Sequence, residues 1–360
     1  MGNAATGVLR GAGLHPWEAE ADAQGIFGLV AAAILAPSPH NTQPWRFSTG
    51  PDWLLVYADD ARVMPTVDPY RRERTIALGA AIENAVVAAP AKGLVPTVTL
   101  LPEGPESALM ARIEVRPAHV ELTPLAEAIP NRRTNRGPYR PDAVAPELLA
   151  ELGDAGDITA SVRWVVEAGA RQALGELLVD AAQAVADDDA MSRDGYSWFR
   201  PTEAAIDAHR DGLTLDGQGL AAPVRAAAKL VPSLASRSMA DAAWVKQTKN
   251  VHTKTAAAYG VVLVDDPAAR ADQLAGGRLA QRVHLTATTM DLALHHMNQI
   301  TERIDRDRAA GRPSGIAERL AQILGADAGR ALCVFRVGWP SRPGKASPRR
   351  AAHQVVAHEA

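Results

Sequence analysis

Three short segments concentrate the residue types that hold or transform a polar ligand. The first runs Pro37-Ser38-Pro39-His40-Asn41-Thr42-Gln43-Pro44-Trp45-Arg46, directly after an apolar stretch. Its three prolines stiffen the backbone, so the polar side chains are presented in a fixed geometry. Asn41 and Gln43 each offer a donor and an acceptor, the pattern that matches alternating C=O and N–H groups on a heterocycle edge. The plainer alternative is a rigid connector whose Ser38 and Asn41 satisfy turn backbone. The second segment, Asn131-Arg132-Arg133-Thr134-Asn135-Arg136-Gly137-Pro138-Tyr139-Arg140, holds four Arg within nine residues. It is either a clamp for a phosphate, through charge-assisted hydrogen bonds, or a solvated basic linker. The third, Arg342 to Arg350, is a basic tail that taken alone reads as solvated.

Other constellations are weaker. His284, His295 and His296 fall on one predicted helix without a carboxylate on the same face, so they read as structural, and no metal site is expected. The single cysteine, Cys333, lies in the apolar run ALCVF and reads as a buried thiol. There is no G-x-S-x-G elbow, Walker loop or strand-linked G-x-G-x-x-G, and no side chain stands out as a nucleophile. Tyr196, Trp198 and Phe199, with Arg193 and Arg200, either stack on a ligand or pin their segment to the core.

The elements that must carry these segments follow from periodicity and breakers. Residues 16–36 read as a helix stopped by Pro37 and Pro39. Trp45–Phe47 and Leu54–Tyr57 read as a strand pair, followed by a long helix over Arg74–Leu94 rich in Gly and Ala and hence central. Val98–Leu101 and Ala111–Val115 read as strands. The second half runs in the same order: strand Tyr259–Val264, helix Gly277–Asn298, strand Ala331–Val337. This pattern suggests an internal duplication and an α+β fold. Residues 185–245 are polar, Gly-rich and studded with aromatics, suiting a lid or an interface arm. Pro340–Arg350 reads as loop, and 351–360 as frayed or a short helix.

The chain of 360 residues is 47% hydrophobic and 22% charged, with a net charge of −3, as expected of a globular protein that is not a general binder of nucleic acid. Only six of its 38 cations are Lys. One cysteine excludes a disulfide framework. The N-terminus shows no secretory pattern, and the apolar stretch Ile26–Leu35 is too short to span a bilayer. A cytoplasmic protein without a membrane segment is expected.

The three segments together resemble a known family. APSPHNTQPWRF resembles the S-P-x-x-N-x-Q-P-W signature of the flavin-dependent nitroreductase superfamily. RRTNRGPY is similar to its opening R-R-S-x-R-x-F motif, and VGWPSRPGKASPRR to its closing G-x-P…P-x-R-R segment. HNTQPWR with RRTNR in one long chain looks most like the Acg-type branch. The resemblance covers most of residues 26–145 and 255–352. It implies a nitroreductase-like α/β/α sandwich with a mixed, mainly antiparallel sheet flanked by helices, internally duplicated as a pseudo-dimer. The repeats would be 16–125 and 126–350, the second carrying a lid-like insertion at about 185–245. Ordinary members are homodimers of much shorter chains; here the motifs occur once each, which implies one complete flavin site in a monomer or a homodimer.

What the resemblance implies about residues is specific. Arg132, Arg349 and Arg350 would meet the phosphate of FMN, and Arg133 or Arg136 the N1–C2=O edge of its ring. Thr134 and Asn135 would bond the ribityl chain or pyrimidine. Pro37, Ser38, Pro39, His40, Asn41 and Gln43 would line ring and ribityl from the other half, and Gln299 would approach N5. The implied activity is oxidoreduction, passing electrons from NAD(P)H through FMN to a small flat acceptor of nitro, quinone or other aromatic type. The alternative is a protein that sequesters or stores FMN with little turnover.

Overall fold

The computed structural model describes residues 13–231 and 235–357. The expected first helix is two: α1 (Pro16–Ala19) and α2 (Gly25–Ala33), separated by a break that ends at Gly25, whose φ is +56°. Strands β1 (Trp45–Thr49) and β2 (Trp53–Ala58) pair antiparallel as predicted. Helix α3 (Arg72–Ala88) stops just ahead of Pro90, which has no N–H with which to continue the helical hydrogen bonds. Strands β3 (Leu94–Leu100) and β4 (Leu109–Pro117) and the short helix α4 (Pro124–Ala128) complete the first half.

The second half opens with α5 (Pro146–Leu152), β5 (Ser161–Val165) and α6 (Ala168–Asp187). The middle segment is more regular than its composition suggested: α7 (Asp189–Tyr196), β6 (Phe199–Arg200), α8 (Glu203–His209), β7 (Leu213–Thr214), α9 (Ala222–Leu230) and α10 (Arg237–Gln247). Then come β8 (Ala258–Leu263), α11 (Arg270–Thr289) and β9 (Ala293–His296). This corrects the expected helix Gly277–Asn298: it ends early because Asp291 adopts φ +59°, so His295 and His296 lie on a strand and only His284 on the helix. Helices α12 (Gln299–Ala309) and α13 (Gly315–Leu324), strand β10 (Ala331–Gly338) and the two-residue β11 (Val356–Ala357) follow.

The fold is α+β and mainly antiparallel. The larger two sheets run β11-β1-β2-β4-β3 and β5-β8-β10-β9, and β6 and β7 form a separate two-stranded parallel pair. The tail is not merely frayed: β11 pairs parallel with β1, Phe47 opposite Val356, carrying the C-terminus onto the first-half sheet. Residues 358–360, like 1–12 at the other end, lie outside the described residues.

Helices α3 and α11 cross between the two sheets, and their small residues explain how closely. A Cβ on Gly79 would lie 2.3 Å from the Leu274 carbonyl, and one on Gly277 2.2 Å from that of Ile76. The backbones touch, which only glycine permits. Buried polar links reinforce the crossing: Glu83 accepts from Arg278 and Arg282, and Gln281 donates to Asn84. Ile82, Leu285 and Phe47 belong to the core on one side, Leu279, Val262 and Phe335 to that on the other. Leu174 and Leu177 of α6 and Leu320 of α13 cover the outer face of the second sheet. Among the described residues no helix is long and apolar enough to cross a membrane.

Candidate functional site

A cavity of about 550 Å³ lies where the two halves and the middle segment meet. The first half contributes Pro37, Ser38, Pro39 and His40, with Glu73 and Ile76 from the start of α3. From the second come Thr134, Arg136, Gln281 on α11, and the run His295 to Gln299 with Glu302. The opposite wall is apolar and belongs to the middle segment: Met191, Tyr196, Phe199, Leu215, Val224 and Trp244 among others. That segment is anchored rather than loose. The Asp194 carboxylate accepts the amides of Thr66 and Val67 at 2.7 and 3.0 Å, and Asp211 takes Arg62 and Arg200.

The proline-rich loop is held in a strained shape. His40, Asn41 and Gln43 all have positive φ, near +50°, a region non-glycine residues enter only when their surroundings over-determine it. The surroundings here are hydrogen bonds. Asn41 Nδ2 donates to the carbonyls of Pro348 (2.9 Å) and Gly212 (3.1 Å). Gln43 Nε2 donates to Arg210 at 2.9 Å, and its Oε1 accepts the Arg350 amide at 2.9 Å. Asn41 and Gln43 therefore clamp the C-terminal tail and the middle segment, and their amides do not line the cavity.

Behind the loop sit three guanidiniums. Arg132 Nη2 donates to the Leu35 carbonyl (3.0 Å), Arg349 donates to Ala36 (3.0 Å) and to Asn41, and Arg133 donates to Pro130 (2.8 Å). All three face the indole of Trp17, at 5.8, 4.9 and 4.0 Å from its centroid respectively. None pairs with a carboxylate among the described residues, and the buried Nε atoms of Arg132 and Arg349 have no partner. Burial and mutual repulsion depress Arg132 well below its ordinary value, Arg349 to about 9, and burial alone takes Arg133 to about 10. So much positive charge kept from water without a counter-ion is a site short of an anion.

Of the residues picked out from sequence, Pro37, Ser38, Pro39, His40, Thr134, Arg136 and Gln299 line the cavity. Arg132, Arg133 and Arg349 form the cluster behind it; Arg350 reaches the Gln43 carbonyl, and Asn135 bonds the Arg342 carbonyl. The histidines on the cavity wall are neutral: burial and nearby Arg136 lower His40 to about 4, and burial lowers His295 and His252 strongly. Sequence reasoning missed Glu73, Gln281, His252 and Glu302. The available signal was charge inside an otherwise small-residue helix, since Arg72-Glu73-Arg74 opens a helix of Ala and Gly. Cys333 is buried, as expected.

No protein-family model matches the chain. A Mycobacterium tuberculosis (strain H37Rv) protein named "Putative NAD(P)H nitroreductase Rv3131" is 29% identical over 349 residues, covering 93% of this chain and 92% of that protein. A second protein of that strain, "Putative NAD(P)H nitroreductase acg", is 29% identical over 163 residues, 38% of this chain and 49% of its own length. Among solved structures, the FMN-dependent nitroreductase NfnB from Mycobacterium smegmatis in complex with NADPH aligns at TM-score 0.40 and 18% identity, covering 66% of this chain and 98% of that one.

Proposed function

Because this chain is a homologue, along almost all of its length, of mycobacterial proteins named NAD(P)H nitroreductases, we propose that it is an FMN-dependent NAD(P)H oxidoreductase with one flavin site built from two repeats. The repeats are 16–125 and 126–350, each a sheet with one of the crossed helices, the second interrupted by the segment at about 185–245.

The observation that carries this reading is the trio Arg132, Arg133 and Arg349, the first and last buried and the second half-buried, without an acidic partner among the described residues. Its donor set fits a phosphate dianion, which needs several charge-assisted donors once it leaves water. Arg132 and Arg349 would hold the phosphate of FMN, with Arg350 bracing the loop through Gln43. Ser38, Thr134 and the strained Pro39-His40 turn would line the cofactor's flank, and Asn41, Gln43 and Asn135 would hold its walls in place. Gln299 would stand at the far edge. Bound there, the flavin supplies a two-electron relay between nicotinamide and acceptor. Arg136, half-buried and drawn down to about 10 by desolvation, supplies a cation on the cavity wall, where developing negative charge is stabilised. The neutral His40 and His295 add hydrogen-bonding capacity without charge. Met191, Tyr196, Phe199 and Trp244 exclude water and suit a small flat aromatic, nitro or quinone-like acceptor.

A storage reading is favoured by one observation: the anchored middle segment closes one whole wall of the cavity. An absorbance spectrum with the stoichiometry of released flavin tests the main proposal, which expects equimolar FMN. Steady-state NAD(P)H oxidation with a quinone or nitrofuran then separates the two: brisk turnover rejects storage, and a tightly held flavin that nicotinamide fails to reduce rejects catalysis.

A further inference from the structure

The inner end of the cavity carries more carboxyl groups than its surroundings can hold as anions. Glu73 opens α3 and Glu302 lies in the first turn of α12, and both line the cavity. Asn298 fixes the first of them. Its Oδ1 accepts the Val334 amide (3.0 Å), so its Nδ2 must face Glu73 Oε2, to which it donates at 2.6 Å. The other oxygen, Glu73 Oε1, is buried with no hydrogen-bond partner among the described residues, on a residue only 3% exposed. Glu302 makes no side-chain hydrogen bond to any described residue.

Two further carboxyls stand close by, and both are provided for. Asp68 accepts the amides of Glu73 (3.1 Å) and Arg74 (2.9 Å) at the start of α3, and Asp305 forms an ion pair with Arg72, its Oδ2 3.1 Å from Nη2 without a hydrogen bond. Arg72 Nε is 3.7 Å from Glu73 Oε1, beyond hydrogen-bond reach. From other elements, β9 presents the neutral His296, β10 the protonated thiol of Cys333, α11 the amide of Gln281, and α10 Asp241, which accepts from Ser192. Arg308 of α12 acts on Asp305. Arg72 thus faces four carboxyls, helped by Arg308 only at Asp305, and like charges in a desolvated site cannot all ionise. Asp68, with two backbone amide donors, and Asp305, beside Arg72 and Arg308, are the better provided for, although burial raises both. The proton is left to the two that face the cavity.

We propose that Glu73 and Glu302 share one proton at neutral pH and deliver it to the electron acceptor, acting as the proton donor that completes its reduction; this rests on the oxidoreductase reading above. In the step a carboxyl O–H bond breaks, its electron pair stays on the carboxylate, and a new O–H bond forms at the acceptor oxygen. The accompanying hydride equivalent originates in NAD(P)H, and water reprotonates the pair between turnovers. Burial, with repulsion from Asp68 and Asp305, raises both groups above the ordinary carboxyl range, the direction this role requires.

The test uses Glu73→Gln and Glu302→Gln in the full chain, with menadione as acceptor. Wild type should show turnover that falls on the alkaline side as the pair ionises. Each variant should bind equimolar FMN, lose about 100-fold in kcat, and lack that alkaline limb. Infrared spectra of protein with and without flavin should show the carbonyl stretch of a buried protonated carboxyl at pH 7, absent from either variant. An unaltered kcat and pH profile in flavin-loaded variants, or no such band in wild type, overturns the proposal. A colourless protein overturns the flavin reading and the delivery step with it, while the infrared band separately decides whether the pair holds a proton.

Discussion

Arg349 donates to the side-chain oxygen of Asn41, so two residues 308 positions apart share one buried contact. The same Arg also caps the carbonyls of Leu35 and Ala36, at the end of the segment leading from α2 into the proline-rich loop. Tail and loop are thereby one unit, with the guanidinium cluster behind it.

The cluster predicts cofactor affinity. Arg132→Ala or Arg349→Ala removes charge-assisted donors worth about 1.5–3 kcal/mol, so FMN binding should weaken roughly 10- to 100-fold. Fluorescence titration of the flavin-free protein measures this. Affinity within threefold of wild type would mean the phosphate lies elsewhere.

Asn41 predicts stability instead. Asn41→Ala takes its side-chain donor from the Gly212 carbonyl, one of three donors from that of Pro348, and one of several acceptors from Arg349. A loss of about 2 kcal/mol is expected in urea unfolding, because buried groups lose partners that water does not replace.

The helix crossing predicts the severest packing defect. Gly79→Ala or Gly277→Ala drives a methyl against backbone oxygen at 2.3 or 2.2 Å. Flexible side chains can yield, but two helix backbones cannot, and a loss of at least about 3 kcal/mol should follow. The fraction of soluble protein and its urea midpoint check this; an unchanged midpoint would show that the helices can separate without cost.

Acid should unfold the protein through its histidines. His252, His284 and His295 are buried and held well below their ordinary value, chiefly by desolvation, with Arg336 or Arg132 adding repulsion. A histidine depressed on folding is neutral in the native state and charges more readily when unfolded. Its stabilising effect is therefore complete above about pH 6.5 and is lost as pH falls below it. Urea midpoints at pH 7.5, 6 and 5 should decline, and His284→Gln should flatten the decline.

Much of this arrangement could be read from composition and spacing. Small residues from Gly79 to Ala89 announced a helix packed on every side, and it is buried along nearly its whole length. The proline-rich loop announced fixed geometry, and its positive φ angles are that fixity. Less legible was where polar atoms would point. Asn41 and Gln43 looked suited to a heterocycle edge, yet their bonds run to carbonyls some 170 and 300 residues away, partners no local pattern reveals. The early end of α11 was hidden because Asp291 takes a left-handed turn that apolar periodicity through Leu292 and Leu294 disguises. Glu73 escaped notice because an exposed and a buried glutamate look alike until the neighbouring helix is placed.

The return of the tail to β1 has an architectural consequence. The last strand of the second half completes the edge of the first half's sheet, opposite Phe47 and Ser48. A fragment cut between the halves would expose that edge, an invitation to pair with another chain, while the remaining piece would carry a strand with nothing to join. The two halves are consequently expected to be recovered in good yield when co-expressed, each trapping the other, and to aggregate when produced apart.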